Sequence, residues 1–150
     1  MCLGTIEQRD PFMEPLIRPA SLDSLSEIGA YVLEAASQAG LERKLAYRLR
    51  LAVDEIATNA IVHGYDTIEK EGELVVLAEI GDGILTIILE DTGPAYDPFD
   101  TPSPDDLDQP LDDRDIGGLG VFLAVQGVDE FRYEWVNDTN RNIFTMKRVE

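Results

Sequence analysis

The feature that most constrains this chain is a change of hydrophobic period near residue 70. Between Ser21 and Gly40, the residues Leu22, Leu25, Ile28, Val32, Leu33 and Ala36 recur at helical spacing. Between about Glu42 and His63, Leu45, Leu49, Ala52, Val53, Ile56 and Ala60 do the same. The helical period then stops. Glu73–Ile80 and Ile84–Glu90 are rich in Val, Ile and Leu, and Gly81-Asp82-Gly83 between them reads as a hairpin turn. Two further strands, about Phe131–Val136 and Asn142–Arg148, flank the turn Asn137-Asp138-Thr139-Asn140. Helices with one apolar face must bury it, and the sheet offers a face to bury it on. The expected fold is therefore α+β, a two-layer sandwich with helices on one face of a mixed, mainly antiparallel sheet. Ser24 and Glu27 suit a capping box at the first helix, with Ser21 as the alternative cap. Gly40 and Gly64 read as helix stops.

Between the strand pairs the character changes. Residues 94–115 hold Pro94, Pro98, Pro102, Pro104 and Pro110, many aspartates, and no sustained hydrophobic period, which predicts a long mobile loop at about 94–117. Order returns at Gly117-Gly118-Leu119-Gly120 and a short apolar helix over 121–126. With 150 residues and no internal repeat, the expectation is an N-terminal extension over 1–15 and a single domain over 16–150.

Charge excludes more than it identifies. A formal net charge of −18 argues against direct nucleic-acid binding and against docking on anionic lipid, because both need a basic face. It is compatible with a basic protein partner, and equally with plain solubility. No apolar run approaches the roughly 20 residues that span a bilayer, and no secretory leader is visible, so a cytoplasmic protein is expected. Cys2 has no second cysteine to pair with, and a nucleophile there would need a base that the sequence does not supply nearby.

Three clusters carry possible chemistry. In Asp54-Glu55-Ile56-Ala57-Thr58-Asn59-Ala60-Ile61-Val62-His63-Gly64, residues Glu55, Asn59 and His63 are four apart and share a helix face. A carboxylate there can take a proton from an attacking hydroxyl, and an amide oxygen is a hard ligand suited to Mg²⁺. Alone, the stripe reads more simply as the solvated side of an amphipathic helix. Asp91-Thr92-Gly93-Pro94 follows a strand directly. Its carboxylate could accept from an exocyclic amino group, with Gly93 allowing close approach, or the segment is simply a turn. Gly117-Gly118-Leu119-Gly120 opens a helix, where free amides favour phosphate, although no P-loop or dinucleotide fingerprint is present. A hinge for the preceding loop is the other reading.

The order and context of the three together resemble the nucleotide site of the ATPase superfamily that includes gyrase, histidine kinases and anti-sigma-factor kinases. The Glu55–Asn59 helix looks like its N box, Asp91-x-Gly93 like the first glycine box, and Gly117-Gly118-Leu119-Gly120 like the second. The likeness covers about Leu16 to Lys147. Asn59-Ala60-x-x-His63-Gly64 and Tyr96-Asp97-Pro98 are closest to the anti-sigma-factor serine/threonine protein kinases. The resemblance implies ATP and Mg²⁺ as cofactors, with Glu55 as catalytic base and Asn59 as Mg²⁺ ligand. It implies that Asp91 reads the adenine amino group, and that Gly93 shapes that pocket. Gly118, Leu119 and Gly120 would hold the phosphates as the loop, an ATP lid, closes. Thr145 resembles the residue that helps bind adenine, and Arg114 corresponds to an arginine near the γ-phosphate. Pro94 and Ala95 depart from a more glycine-rich first box, which would stiffen the adenine side. His63 reads as a structural helix-end histidine rather than a phosphoacceptor.

The implied activity is transfer of the γ-phosphoryl group to a serine or threonine of an anti-sigma-factor antagonist, with a sigma factor as the alternative partner and a homodimer as the assembly. Two other readings stay open. One is a nucleotide-gated module that sequesters its partner without phosphotransfer. The other is an ATPase module acting in trans in a different signalling or phosphatase system.

Overall fold

The two apolar faces become helices α1 (Leu25–Ala39) and α2 (Arg43–Ile61), packed side by side. The computed structural model describes residues 11–66, 71–99, 121–122 and 124–148. Ile28, Val32, Ala35 and Ala36 of α1 and Leu49, Ala52, Val53 and Ile56 of α2 are buried, so the spacing seen in sequence marks the core side. The capping box does not form. Ser21, the alternative cap, accepts from the Asp23 amide at 3.3 Å and starts a short 3-10 turn, Leu22–Ser24. The Ser24 hydroxyl instead donates to the Pro19 carbonyl at 2.8 Å, and Glu27 pairs with Arg18 at 2.6 Å. Gly40, at φ 76°, ends α1 in the left-handed region where a side chain would be strained.

Gly64 does not end α2. The helix continues into one widened π turn, Val62–Asp66. Such turns re-aim side chains and recur at functional sites. Here the turn carries His63, Gly64 and Tyr65.

Five strands form one sheet: β1 (Leu16–Pro19), β2 (Glu73–Gly81), β3 (Ile84–Asp91), β4 (Glu130–Val136) and β5 (Thr139–Lys147). Their spatial order is β1-β2-β3-β5-β4, and every pairing among the described strands is antiparallel. Thus β5 lies inside the sheet, between β3 and its own hairpin partner. β1 was not expected, because four residues ending in proline carry too little pattern. It sits at the edge, where a residue without an N–H is tolerated.

The β4–β5 turn is shorter than its sequence suggests. Val136 pairs directly with Thr139, leaving Asn137 (φ 53°) and Asp138 (φ 59°) as the turn residues. Two positive φ values match the right-handed twist of the flanking strands, and Asn and Asp tolerate them. Thr139 and Asn140 therefore belong to β5.

Val76 and Ala78 of β2, Leu85, Ile87 and Leu89 of β3, and Phe144 and Met146 of β5 face the helices. Residues 121–122 and 124–125 are helical, and Val121 and Ala124 seal one side of the same core.

Candidate functional site

The site is organised around Asp91, the last residue of β3, which is buried at 6% exposure. Its Oδ1 accepts three hydrogen bonds: from the Tyr65 hydroxyl at 3.1 Å, the Gly93 amide at 2.9 Å and the Asn140 side-chain amide at 3.0 Å. Oδ2 has no hydrogen-bond partner among the described residues. A buried carboxylate is tolerated when donors surround its charge, and here they crowd one oxygen.

Each donor is placed by a different element. The π turn swings Tyr65 inward until it is 2% exposed. Its ring packs against two glycines. A Cβ on Gly72 would stand 2.2 Å from Tyr65 Cε1, and one on Gly93 would stand 2.9 Å from Cζ and Oη. Burial, and then the charge of Asp91, hold the phenol far above its ordinary pKa, so it stays a donor. Asn140 enters from β5. Its Nδ2 also donates to the Pro94 carbonyl at 2.9 Å, and its Oδ1 accepts from the Tyr96 amide at 2.9 Å and from the Tyr133 hydroxyl. These partners fix which way the amide faces. Asn140 thus ties the strand end to the segment that follows it.

The fit around Tyr65 carries a prediction. Gly72→Ala should cost about 1–3 kcal/mol, because the ring cannot yield without losing Asp91. Gly64→Ala, with nothing within 4 Å of the added carbon, should be close to neutral. Parallel denaturant melts of the two variants would show the difference, and equal stabilities would contradict the packing.

Beside Asp91 lies a narrow cleft. Ile56, Ala60 and Gly64 form its apolar floor, and Pro94, Tyr96 and Pro98 form a wall. Asp91, Asn140 and Asn142 supply the polar groups. The free room between them is about 10 Å³, enough for roughly one water molecule. The His63 ring stacks on Tyr96, with centroids 5.5 Å apart and planes at 24°. Asn142 is 2% exposed, and its Oδ1 is buried without a hydrogen-bond partner among the described residues.

Glu55 and Asn59 lie on α2, each one residue before a floor position of the cleft (Ile56, Ala60). Asn59 is 6% exposed, and its Nδ2 donates to the Glu55 carbonyl at 3.1 Å. One of its two N–H groups is therefore tied to the helix, and its oxygen has no hydrogen-bond partner among the described residues. Glu55 is half-buried, and no ion pair holds its carboxylate among the described residues.

The fold thus joins Gly93 to Asp91 at the cleft, with Glu55 and Asn59 on α2, next in sequence to the floor residues Ile56 and Ala60. Gly93 has two tasks: its amide donates to Asp91, and its missing side chain makes room for Tyr65. Thr145 is not brought there. It pairs with Thr86 and Glu130 and shares the parity of Arg141 and Ile143, on the sheet face turned away from the helices. Strand alternation places Asn140 and Asn142 on the cleft face instead. Arg114, Gly118, Leu119 and Gly120, and the expected lid beyond Phe99, lie outside the described residues. Sequence reasoning missed Tyr65, Asn140 and Asn142. Tyr65 directly follows a glycine read as a stop, and Asn140 was placed in a turn.

Residues 18–148 match the histidine kinase-like ATPase domain family. The serine-protein kinase RsbW of Staphylococcus aureus strain JH9 is 30% identical over 128 residues, covering 83% of this chain and 80% of its own, and RsbW of strain Newman aligns equally. Among solved structures, the RsbU and RsbW domains of Rv1364c from Mycobacterium tuberculosis superpose with a TM-score of 0.59 at 21% identity. That match covers 90% of this chain and 32% of the longer one, and it supports the fold alone. With a family match spanning both helices and β2–β5, and a 30% identical relative covered over most of its length, the chain belongs to the histidine kinase-like ATPase family, in its anti-sigma-factor kinase branch.

Proposed function

We propose that this protein is a serine/threonine kinase that binds Mg-ATP in the cleft beside Asp91. Its substrate in this reading is an anti-sigma-factor antagonist, and a sigma factor is the alternative partner in a partner-switching cycle in the cytoplasm, with the kinase acting as a homodimer. The observation that carries the reading is the state of Asp91: a buried carboxylate with three donors on one oxygen and no partner for the other among the described residues, at the edge of the cleft. An exocyclic amino group of adenine is such a donor. The orphaned Oδ1 of Asn142 offers a second polar contact for the base. A purine needs more than the present room, so the Pro94–Pro98 wall must move outward to admit it.

In this reading the Asn59 oxygen would serve as a magnesium ligand, which is supported by its nitrogen being tied back to the helix. Magnesium, when bound, would neutralise charge on the triphosphate. Glu55 takes the proton of the acceptor hydroxyl. The hydroxyl oxygen then bonds to the γ-phosphorus as the bond to the bridging β–γ oxygen breaks, and ADP leaves with that electron pair. Gly118, Leu119 and Gly120 hold the phosphates and Arg114 approaches the γ-phosphate in this scheme.

Calorimetric titration with ATP tests the reading. Wild-type binding should tighten with Mg²⁺, and Asn59→Ala should remove most of that gain, about tenfold or more in affinity. A wild-type protein that binds no ATP would overturn the proposal.

A further inference from the structure

A carboxylate with two free oxygens can turn to meet either of two ligands, but Asp91 cannot turn. Three donors from three separate segments converge on Oδ1: a phenol on the π turn, a backbone amide after β3, and an amide on β5. Rotating the group would break all three bonds inside the protein. The Tyr65 ring is itself packed closely against Gly72 and Gly93, and Asn140 is held by Pro94, Tyr96 and Tyr133. The anchors are anchored in turn.

We infer that Tyr65 and Asn140 are positioning residues that set base selectivity, locking Asp91 so that Oδ2 presents a fixed acceptor to a 6-amino purine and rejects a 6-oxo purine. The inference rests on reading the cleft as a purine site. Its chemistry follows from the donor inventory. An ionised carboxylate only accepts, and a 6-amino group donates, whereas a 6-oxo group brings a second acceptor against the first. A locked acceptor cannot swing aside to relieve that clash, whereas a freed one can. Sites built to bond a particular polar group reject its mismatch strongly, because a buried group is left unpaired. Tyr65 and Asn140 need not touch the base, and they act through Asp91.

The test is titration of the full chain with ATP and separately with ITP, which differs at the 6-position, in Mg²⁺ at one pH. Wild type should prefer ATP by about 100-fold or more. Tyr65→Phe removes one hydroxyl and keeps the ring, and it should cut that preference by about tenfold, chiefly by weakening ATP. Asn140→Ala, the second variant should Tyr65→Phe not fold, should cut it at least as far. A role in folding alone would lower both affinities by the same factor and leave their ratio unchanged, and that result would overturn the inference. Equal wild-type affinity for ATP and ITP would also overturn it while leaving the purine site standing. Wild-type binding of neither nucleotide would remove both.

Discussion

Replacing Glu55 with glutamine is expected to slow phosphotransfer by about 10²–10⁴-fold while ATP affinity stays within about threefold of wild type. Glutamine keeps the size and the helix propensity of glutamate but cannot take a proton. Glu55 is a half-buried carboxylate without an ion pair among the described residues, one helical turn before Asn59. A group held in a salt bridge would be a poor base, since its partner favours the charged form. Single-turnover transfer of labelled phosphate to the proposed antagonist substrate, with ATP binding measured in parallel, separates chemistry from binding. A loss below about tenfold would place the base elsewhere. A matching loss of ATP affinity would make Glu55 a structural residue.

The second large effect concerns stability. Phe144→Ala should destabilise the domain by about 3–5 kcal/mol. Phe144 is fully buried at the middle of β5, where it pairs with Ile87 on one side and Phe131 on the other. Its ring meets that of Phe131 with centroids 5.0 Å apart and planes at 59°, and Phe131 in turn meets Phe99 edge-on at 5.4 Å. Removing it opens a hole bounded by three strands that cannot collapse together. For a domain of this size the melting temperature should fall by roughly 6–20 °C. A shift of about two degrees or less would mean that the ring is not at the centre of the core.

Much of this architecture was legible because it depends on local pattern. The apolar faces of α1 and α2, the Gly81-Asp82-Gly83 hairpin and the strand ending at Asp91 each follow from spacing or turn chemistry within a dozen or so residues. Glu55 and Asn59 were legible for the same reason, being one helical turn apart. What stayed hidden depends on register. Asn140 reaches the site because the turn takes two residues rather than four, which extends β5 and fixes which side of the sheet each residue faces. Thr145 fails to reach it by the same rule, since its parity turns it away. Tyr65 was hidden because a glycine before it suggests that a helix stops, whereas here the helix widens by one turn. The contacts of Tyr65 with Gly72, Asp91 and Gly93 join segments that sequence alone does not align.

The placement of β5 inside the sheet has a consequence for how the protein comes into being on the ribosome. α2 and the Asp91–Gly93 segment are synthesised well before Asn140 and Asn142, which complete the cleft from a distance of 49 residues in the case of Asn140 and Asp91. A nascent chain that has exposed only α1, α2, β2 and β3 carries an open edge on β3 and a carboxylate whose third donor has not yet been made. Long-range closure of this kind is slow and leaves strand edges exposed meanwhile. In the proposed reading, a nucleotide would meet the full set of polar groups around Asp91 only after β5 has slid into place.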